Sequence, residues 1–366
     1  MKVVLAPDKF AGTLSAAEAA AALARGWTRA RPGDELVAVP MADGGEGTLA
    51  VVAAGVAGAQ RVEVEVADAL GRPRMATWLR LPDGTALIEA AEACGLSRLA
   101  AGERDPLRTT SYGVGQLLRA AADAGATPLV VGLGGSASVD GGAGLAIALG
   151  AVLRRADGNR LRVGGRSVGE LVSAEPAAPL GAPVVLAGDV TNPLLGPAGA
   201  ARVFGPQKGA TPEVVELLEA ALTVFADVLE RDLPGGPWRG VPGAGAAGGL
   251  GFALLALTGA RIVPGAAAVA DLLGLERALE GAGVAVTGEG SLDASSAGGK
   301  APLHVLARGR AHGARVLAVA GRVRDGAGDA FDDHRDLGPE GLSRAADLVE
   351  ERAADLAAAL APEPWR

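Results

Sequence analysis

The chain has 366 residues, 49% of them apolar and 56 of them glycine, and a formal charge of −8. That length exceeds what one hydrophobic core usually serves, so two domains are expected, and a composition rich in Ala, Val and Leu but poor in aromatics describes an α/β enzyme better than a disordered or fibrous chain. The acid excess excludes a general nucleic-acid or anionic-membrane surface, and Cys94 as the sole cysteine excludes an internal disulfide or a C-x-x-C metal site.

Lys2 to Ala6 is an apolar run suited to a buried strand, and no export signal precedes it, which predicts a cytoplasmic protein. Ser15 with Glu18 has the form of a capping box, opening a helix to about Arg31, and Glu35 to Val39 reads as a second strand. This opening places Asp8 at the carboxyl end of a strand, where open α/β sheets hold ligands. Next comes Pro40 to Thr48 (PMADGGEGT), in which Asp43, Gly44, Gly45 and Glu46 suit a metal or hydroxyl group, or else a tight turn with an aspartate cap. Arg61 to Val66 alternates as a half-exposed strand does, and Ala76 to Leu81 and Ala86 to Glu89 continue in an antiparallel manner. Thr109 to Gly113 opens a helix through Ala124, with its hydroxyls expected as caps and, as the alternative, ligand contacts.

At the centre, Val130 to Gly144 (VVGLGGSASVDGGAG) runs from a short strand into a glycine-rich loop, then a helix. Bare N–H groups at such a helix start suit phosphate oxygens, with Gly134, Gly135, Ser136 and Asp140 as the candidate contacts. Pro183 to Val190 is a strand ending in Asp189, an acid placed to bind Mg²⁺ or accept a proton, or simply to cap the Asn-Pro turn after it. A long helix follows from Pro212 to about Arg231, and the uncharged stretch Gly240 to Ala260 has too many glycines for a membrane span, so a buried loop and helix are expected. Val284 to Thr287 returns to strand texture before GEGSLD, which ends in Asp293. Gly298-Gly299-Lys300 precedes a helix from Pro302 to His312, Val316 to Gly321 is a strand, Arg324 to Asp336 is polar and turn-rich, and a helix from Leu342 closes the chain. Neither end alone makes a two-sided sheet. The expected fold is therefore α/β in two domains: a Rossmann-like parallel-sheet domain from 1–60 and 284–366, and an inserted α/β domain with a mixed sheet from 61–283.

Only Lys2, Lys9, Lys208 and Lys300 are lysines among 34 basic residues, and three of the four lie in turn-rich loops. An ammonium differs from a guanidinium in reach and phosphate geometry, so retention there points to use, against chance retention at solvated turns. Carboxylates, lysines and glycine loops together match phosphoryl transfer. His304, His312 and His334 read as helix or surface residues, and neither a P-loop nor a dinucleotide motif is present.

Six ordered stretches, APDKFAGTLSA, VPMADGGEGT, GLGGSASVDGGAG, GDVTNPLLGPAGAARVFGPQKGA, GAGAAGGLG and TGEGSLD…GGKAP, resemble the bacterial glycerate kinase family over nearly the whole chain. The resemblance implies ATP-dependent, Mg²⁺-assisted phosphorylation of D-glycerate, with ATP and D-glycerate as small-molecule partners and neither nucleic acid nor membrane. The alternatives are a kinase for another small hydroxy acid and a non-catalytic sugar-acid or nucleotide sensor. On the kinase reading Asp189 is Mg²⁺ ligand or general base, Asp293 and Asp43 compete for these roles, and Lys300 and Lys208 stabilise phosphoryl charge. Gly134 to Ser136 hold phosphate, and Asp8 and Lys9 lie near glycerate. The chain departs from the family pattern at Lys9 with Ala11, at Val139 and at Ser295.

Overall fold

The structure is a computed structural model that describes residues 1–293, 300–324 and 326–360. In chain order the elements begin with β1 (Lys2–Pro7), α1 (Ala16–Ala30), β2 (Glu35–Ala38), α2 (Thr48–Gly55), β3 (Gln60–Ala67), β4 (Pro73–Arg80), β5 (Ala86–Glu89) and α3 (Ala90–Cys94). They continue with α4 (Tyr112–Asp123), β6 (Leu129–Gly132), α5 (Ala143–Leu149), β7 (Val152–Arg155), β8 (Leu171–Glu175), β9 (Val184–Ala187), α6 (Ala200–Phe204), α7 (Pro212–Asp232) and α8 (Ala246–Thr258). The last are β10 (Arg261–Val263), α9 (Gly265–Leu273), α10 (Leu275–Leu279), β11 (Val284–Glu289), α11 (Ala301–Ala311), β12 (Arg315–Ala320), β13 (Asp333–Asp336) and α12 (Ala345–Ala359). Contacts divide them into two units, Met1–Asp43 with Ala50–Val56 and Pro264–Arg366, and Gly44–Leu49 with Ala57–Val263.

The first unit is built on a wholly parallel sheet of order β13-β12-β11-β1-β2. Side chains alternate across it, as strand geometry requires. Val3, Leu5, Val284 and Val286 face a core with Leu23, Trp27, Val349 and Leu356 of α1 and α12, whereas Val4, Ala6 and Ala285 face Ala266, Leu275, Val305 and Leu306 on the other side. The capping box forms in both directions, with the Glu18 N–H on Ser15 Oγ at 3.3 Å and the Ser15 N–H on Glu18 Oε2 at 2.8 Å. Glycine at position 26 lets α1 touch α12, because a Cβ there would lie 2.0 Å from the Glu350 carbonyl oxygen.

The second unit carries a mixed sheet of order β10-β9-β6-β5-β4-β3, antiparallel from β3 to β5 and parallel from β5 to β10. One core packs Trp78, Ile88, Leu117 and Val131 with Leu250 of α8, and another gathers Phe225, Phe252, Leu218 and Leu222. So Gly240 to Ala260 does end in a buried helix, and no helix among the described residues is long and apolar enough to cross a membrane.

The segment expected as polar turns, Arg324 to Asp336, contains β13. The sequence DHRD hides it because an edge strand that is half exposed has no need of apolar residues. The β7/β8 hairpin and the short β10 also escaped the sequence reading, and Ser295, Gly298 and Gly299 lie outside the described residues.

Gly26→Ala should separate α1 from α12 and lower the unfolding free energy by about 1–3 kcal/mol, the usual range for overpacking. Urea denaturation followed by circular dichroism measures it, and an unchanged midpoint would contradict the packing described.

Candidate active site

In the first unit the chain leaves β1 toward β2 on one side, whereas β11, on the other side of β1, leads away through β12 to β13. Strand order therefore reverses between β1 and β11, and an open parallel sheet is crevassed at the carboxyl ends of the strands at such a point. Asp8 follows β1 and Glu289 ends β11, and both are buried. The Asp8 N–H donates to the Gly288 carbonyl at 2.8 Å, and the Lys9 N–H donates to Asp8 Oδ1 at 2.6 Å. Asp43 follows β2, and its Oδ1 stands 3.9 Å from Lys9 Nζ. Burial, then the Asp43 charge, and more weakly Glu289, push the Asp8 carboxyl up to about 7 against the opposing pull of the Lys9 N–H and ammonium. A second acid and lysine pair, Lys300 Nζ to Asp293 Oδ1, is also 3.9 Å apart, with Lys300 at the N-cap of α11. Both pairs are too long for direct hydrogen bonds and partly exposed, so each adds little stability.

In the second unit β5, β6 and β9 lie side by side and parallel, so Glu89, the glycine loop after β6 and Asp189 share one carboxyl edge. The loop is fixed from below. Lys208, 3% exposed, donates from Nζ to Ser136 Oγ at 3.0 Å and to the Ser138 carbonyl at 2.8 Å. Its burial lowers the ammonium to about 8, against the pull of Cys94 and Asp140. Asp140 is fully buried and takes the Ser111 N–H at 2.8 Å and hydroxyl at 2.9 Å on Oδ2, and the Gly142 N–H at 3.1 Å on Oδ1. The Ser111 hydroxyl in turn accepts from Leu145 N–H at 3.0 Å, so it ties α4 to α5 where a helix cap was expected. Glycines of the GAGAAGGLG stretch close the loop from another side, since a Cβ on Gly248 would lie 2.0 Å from the Ser138 carbonyl oxygen.

The loop carrying Gly44, Gly45 and Glu46 belongs to this unit and meets the central loop backbone to backbone. A Cβ on Gly134 would lie 2.5 Å from Gly45 Cα, and Glu46 Oε1 accepts the Ser97 hydroxyl at 2.7 Å. Glu89, which the sequence reading did not select, is buried and accepts the N–H groups of Gly47 and Leu49. Its only signal was an acid closing the apolar run ALIE. Burial pushes the Cys94 thiol up to about 11, which removes it as a nucleophile.

Asp8, Lys9, Asp43, Asp293 and Lys300 thus belong to the first unit, and Gly44, Gly45, Glu46, Gly134, Gly135, Ser136, Asp140, Asp189 and Lys208 to the second. Among the described residues no group of three or more His, Cys, Asp or Glu side chains forms a metal cage. The first unit also holds a hollow of about 340 Å³ lined by Arg322, Arg324, Asp336 and Pro339 beyond β12 and β13, which the reading of this stretch as turns passed over.

The glycerate kinase family model matches residues 3–360. The chain is 42% identical to the glycerate 2-kinase of Escherichia coli K12 over 90% of its own length and 87% of that protein, and 40% identical to the glycerate kinase of Bacillus subtilis 168 over 88% and 85%. A crystal structure of a protein described as glycerate kinase 2 from Salmonella typhimurium LT2 superposes with a TM-score of 0.86 at 39% identity, covering 98% of this chain and 97% of that one.

Lys208→Met should leave the Ser136 hydroxyl and the buried Ser138 carbonyl without their donor and cost about 1–3 kcal/mol. Thermal melts at pH 7 read the loss, and a melting point equal to that of the parent would mean that the ammonium does not hold the loop.

Proposed function

The chain belongs to the glycerate kinase family, and we propose that it transfers the γ-phosphoryl group of ATP to the C2 hydroxyl of D-glycerate, with Mg²⁺ as cofactor and in the cytoplasm. It is an enzyme, a glycerate kinase. The observation that supports the residue assignments best is the gathering of acids, lysines and glycine loops at the carboxyl edges of two parallel strand sets. Phosphoryl transfer asks a protein for little besides positioning and charge, and such an edge provides both.

On this reading the Gly134–Ser136 loop receives phosphate oxygens, and Gly44, Gly45 and Glu46 border it. Lys208 and Asp140 act by holding that loop in shape, since both are buried beneath it. Lys300 and Lys9, each 3.9 Å from its aspartate, turn toward substrate or phosphoryl oxygens. Mg²⁺ takes one or two carboxylates and completes its shell with phosphates and water. Half-buried Asp189, at the end of the strand beside the glycine loop, is assigned as the ligand, with Asp43 and Asp293 as its competitors. Bound Mg²⁺ would neutralise charge on the phosphate oxygens.

ADP release should require ATP, Mg²⁺ and D-glycerate together, and phosphorus NMR should show the ester at C2. Activity with other small hydroxy acids but not D-glycerate would overturn the substrate assignment. Lys300→Ala should lower kcat by about 100-fold while preserving the melting point, and near-parental turnover would remove Lys300 from the site. Asp189→Asn should raise the Mg²⁺ concentration needed for half-maximal rate and lower the plateau. An unchanged Mg²⁺ titration would transfer the role to Asp293.

A further inference from the structure

We infer that Asp8 is the group that takes the proton from the attacking hydroxyl of the acceptor, an inference that rests on the kinase reading above. Three observations converge on it. Asp8 occupies the reversal of strand order between β1 and β11, the position where a parallel sheet opens to a ligand. Its backbone N–H is bound to the Gly288 carbonyl of β11, and its Oδ1 receives the Lys9 N–H, which orients the side chain. Among the described residues Oδ2 has no such donor, so one oxygen orients the carboxylate and the other remains to accept.

The charges around it tune this acid for the task. Burial first, then Asp43 from the end of β2 and more weakly Glu289 from the end of β11, disfavour the charged carboxylate, while Lys9 tempers them. A carboxyl held near 7 accepts a proton far more readily than an ordinary carboxylate and is still substantially ionised at neutral pH. In the step itself the hydroxyl oxygen forms a bond to the γ-phosphorus and the bond from that phosphorus to the β–γ bridging oxygen breaks, its electron pair leaving with ADP. The hydroxyl proton passes to Asp8 Oδ2 and then to solvent. Asp293 is paired with Lys300, and Asp189 is assigned to the metal, so neither is required for this role.

The test compares the intact enzyme with Asp8→Asn and Asp43→Asn in pH profiles of kcat/KM for D-glycerate. The parent should lose activity as the pH falls through about 7, because protonated Asp8 cannot accept. Asp8→Asn should lower kcat by about 100-fold or more with the KM for ATP within about threefold, and the acid limb should vanish. Asp43→Asn should move the limb to lower pH, since it removes a charge that holds the Asp8 proton on, a shift that a merely structural role would not produce. If Asp8→Asn fails to fold, the Asp43→Asn limb decides alone. An Asp8→Asn enzyme with over a third of parental kcat, or a limb at the same pH in the parent and Asp43→Asn, overturns the proposal. Parental enzyme inactive on D-glycerate would instead overturn the kinase reading, so the two failures are distinct.

Discussion

A lysine ammonium withdrawn from water must find oxygen atoms, and the shape of the second unit follows from where Lys208 finds them. It takes a hydroxyl and a carbonyl from opposite ends of one short turn, Ser136 and Ser138, and so determines the curvature of the glycine loop. Asp140 completes the arrangement with the opposite charge, gathering N–H groups from the start of α5 and a serine from the start of α4. Beyond the buried side chains of Ala137 and Val139, a loop so rich in glycine has little packing of its own to define it. Here two buried charges supply that definition, and glycines 44, 45 and 248 allow neighbouring backbones to approach where any Cβ would intrude.

The first unit solves a different problem with the same residue types. Its acids collect at one edge because consecutive parallel strands all end there, and the lysines beside them moderate the repulsion without cancelling it. Asp8 bears the residual strain as an elevated proton affinity. The two units therefore differ in how charge is held: Lys208 and Asp140 are buried and hydrogen-bonded in one, and Asp8 and Glu289 are buried near a partly exposed Asp43 in the other.

Much of this was legible in the sequence. The capping box at Ser15, the exact alternation from Arg61, the ALIE strand and the apolar runs at either end carry their period in their residues, so the parallel sheet of the chain ends and the mixed sheet between them could be expected. Clustering of Asp8 and Lys9 with Asp43 followed from two loops after neighbouring strands of one sheet. Other features depend on contacts that no local pattern encodes. Nothing in FGPQKG says that Lys208 points inward, and nothing in TTSYG says that Ser111 serves a distant aspartate instead of its own helix. Glu89 looked like the end of a strand, and its hold on Gly47 and Leu49 arises only when that strand meets a loop forty residues earlier in the chain. DHRD in β13 was hidden for the opposite reason, because an edge position asks so little of its side chains.

The pairing of Val3 with Val284 bears on how the protein is made. On the ribosome β1 and β2 emerge first, yet β11, the other neighbour of β1, is translated only after the whole of the second unit. The inserted unit is nearly continuous in sequence and has its own cores, so it has the means to settle while synthesis goes on. Its early order shortens the effective tether between the waiting strands and lessens the entropy lost when the chain ends join. During that interval β1 and α1 can pack on each other, but the faces that β11 and α12 cover in the finished unit stay open to water.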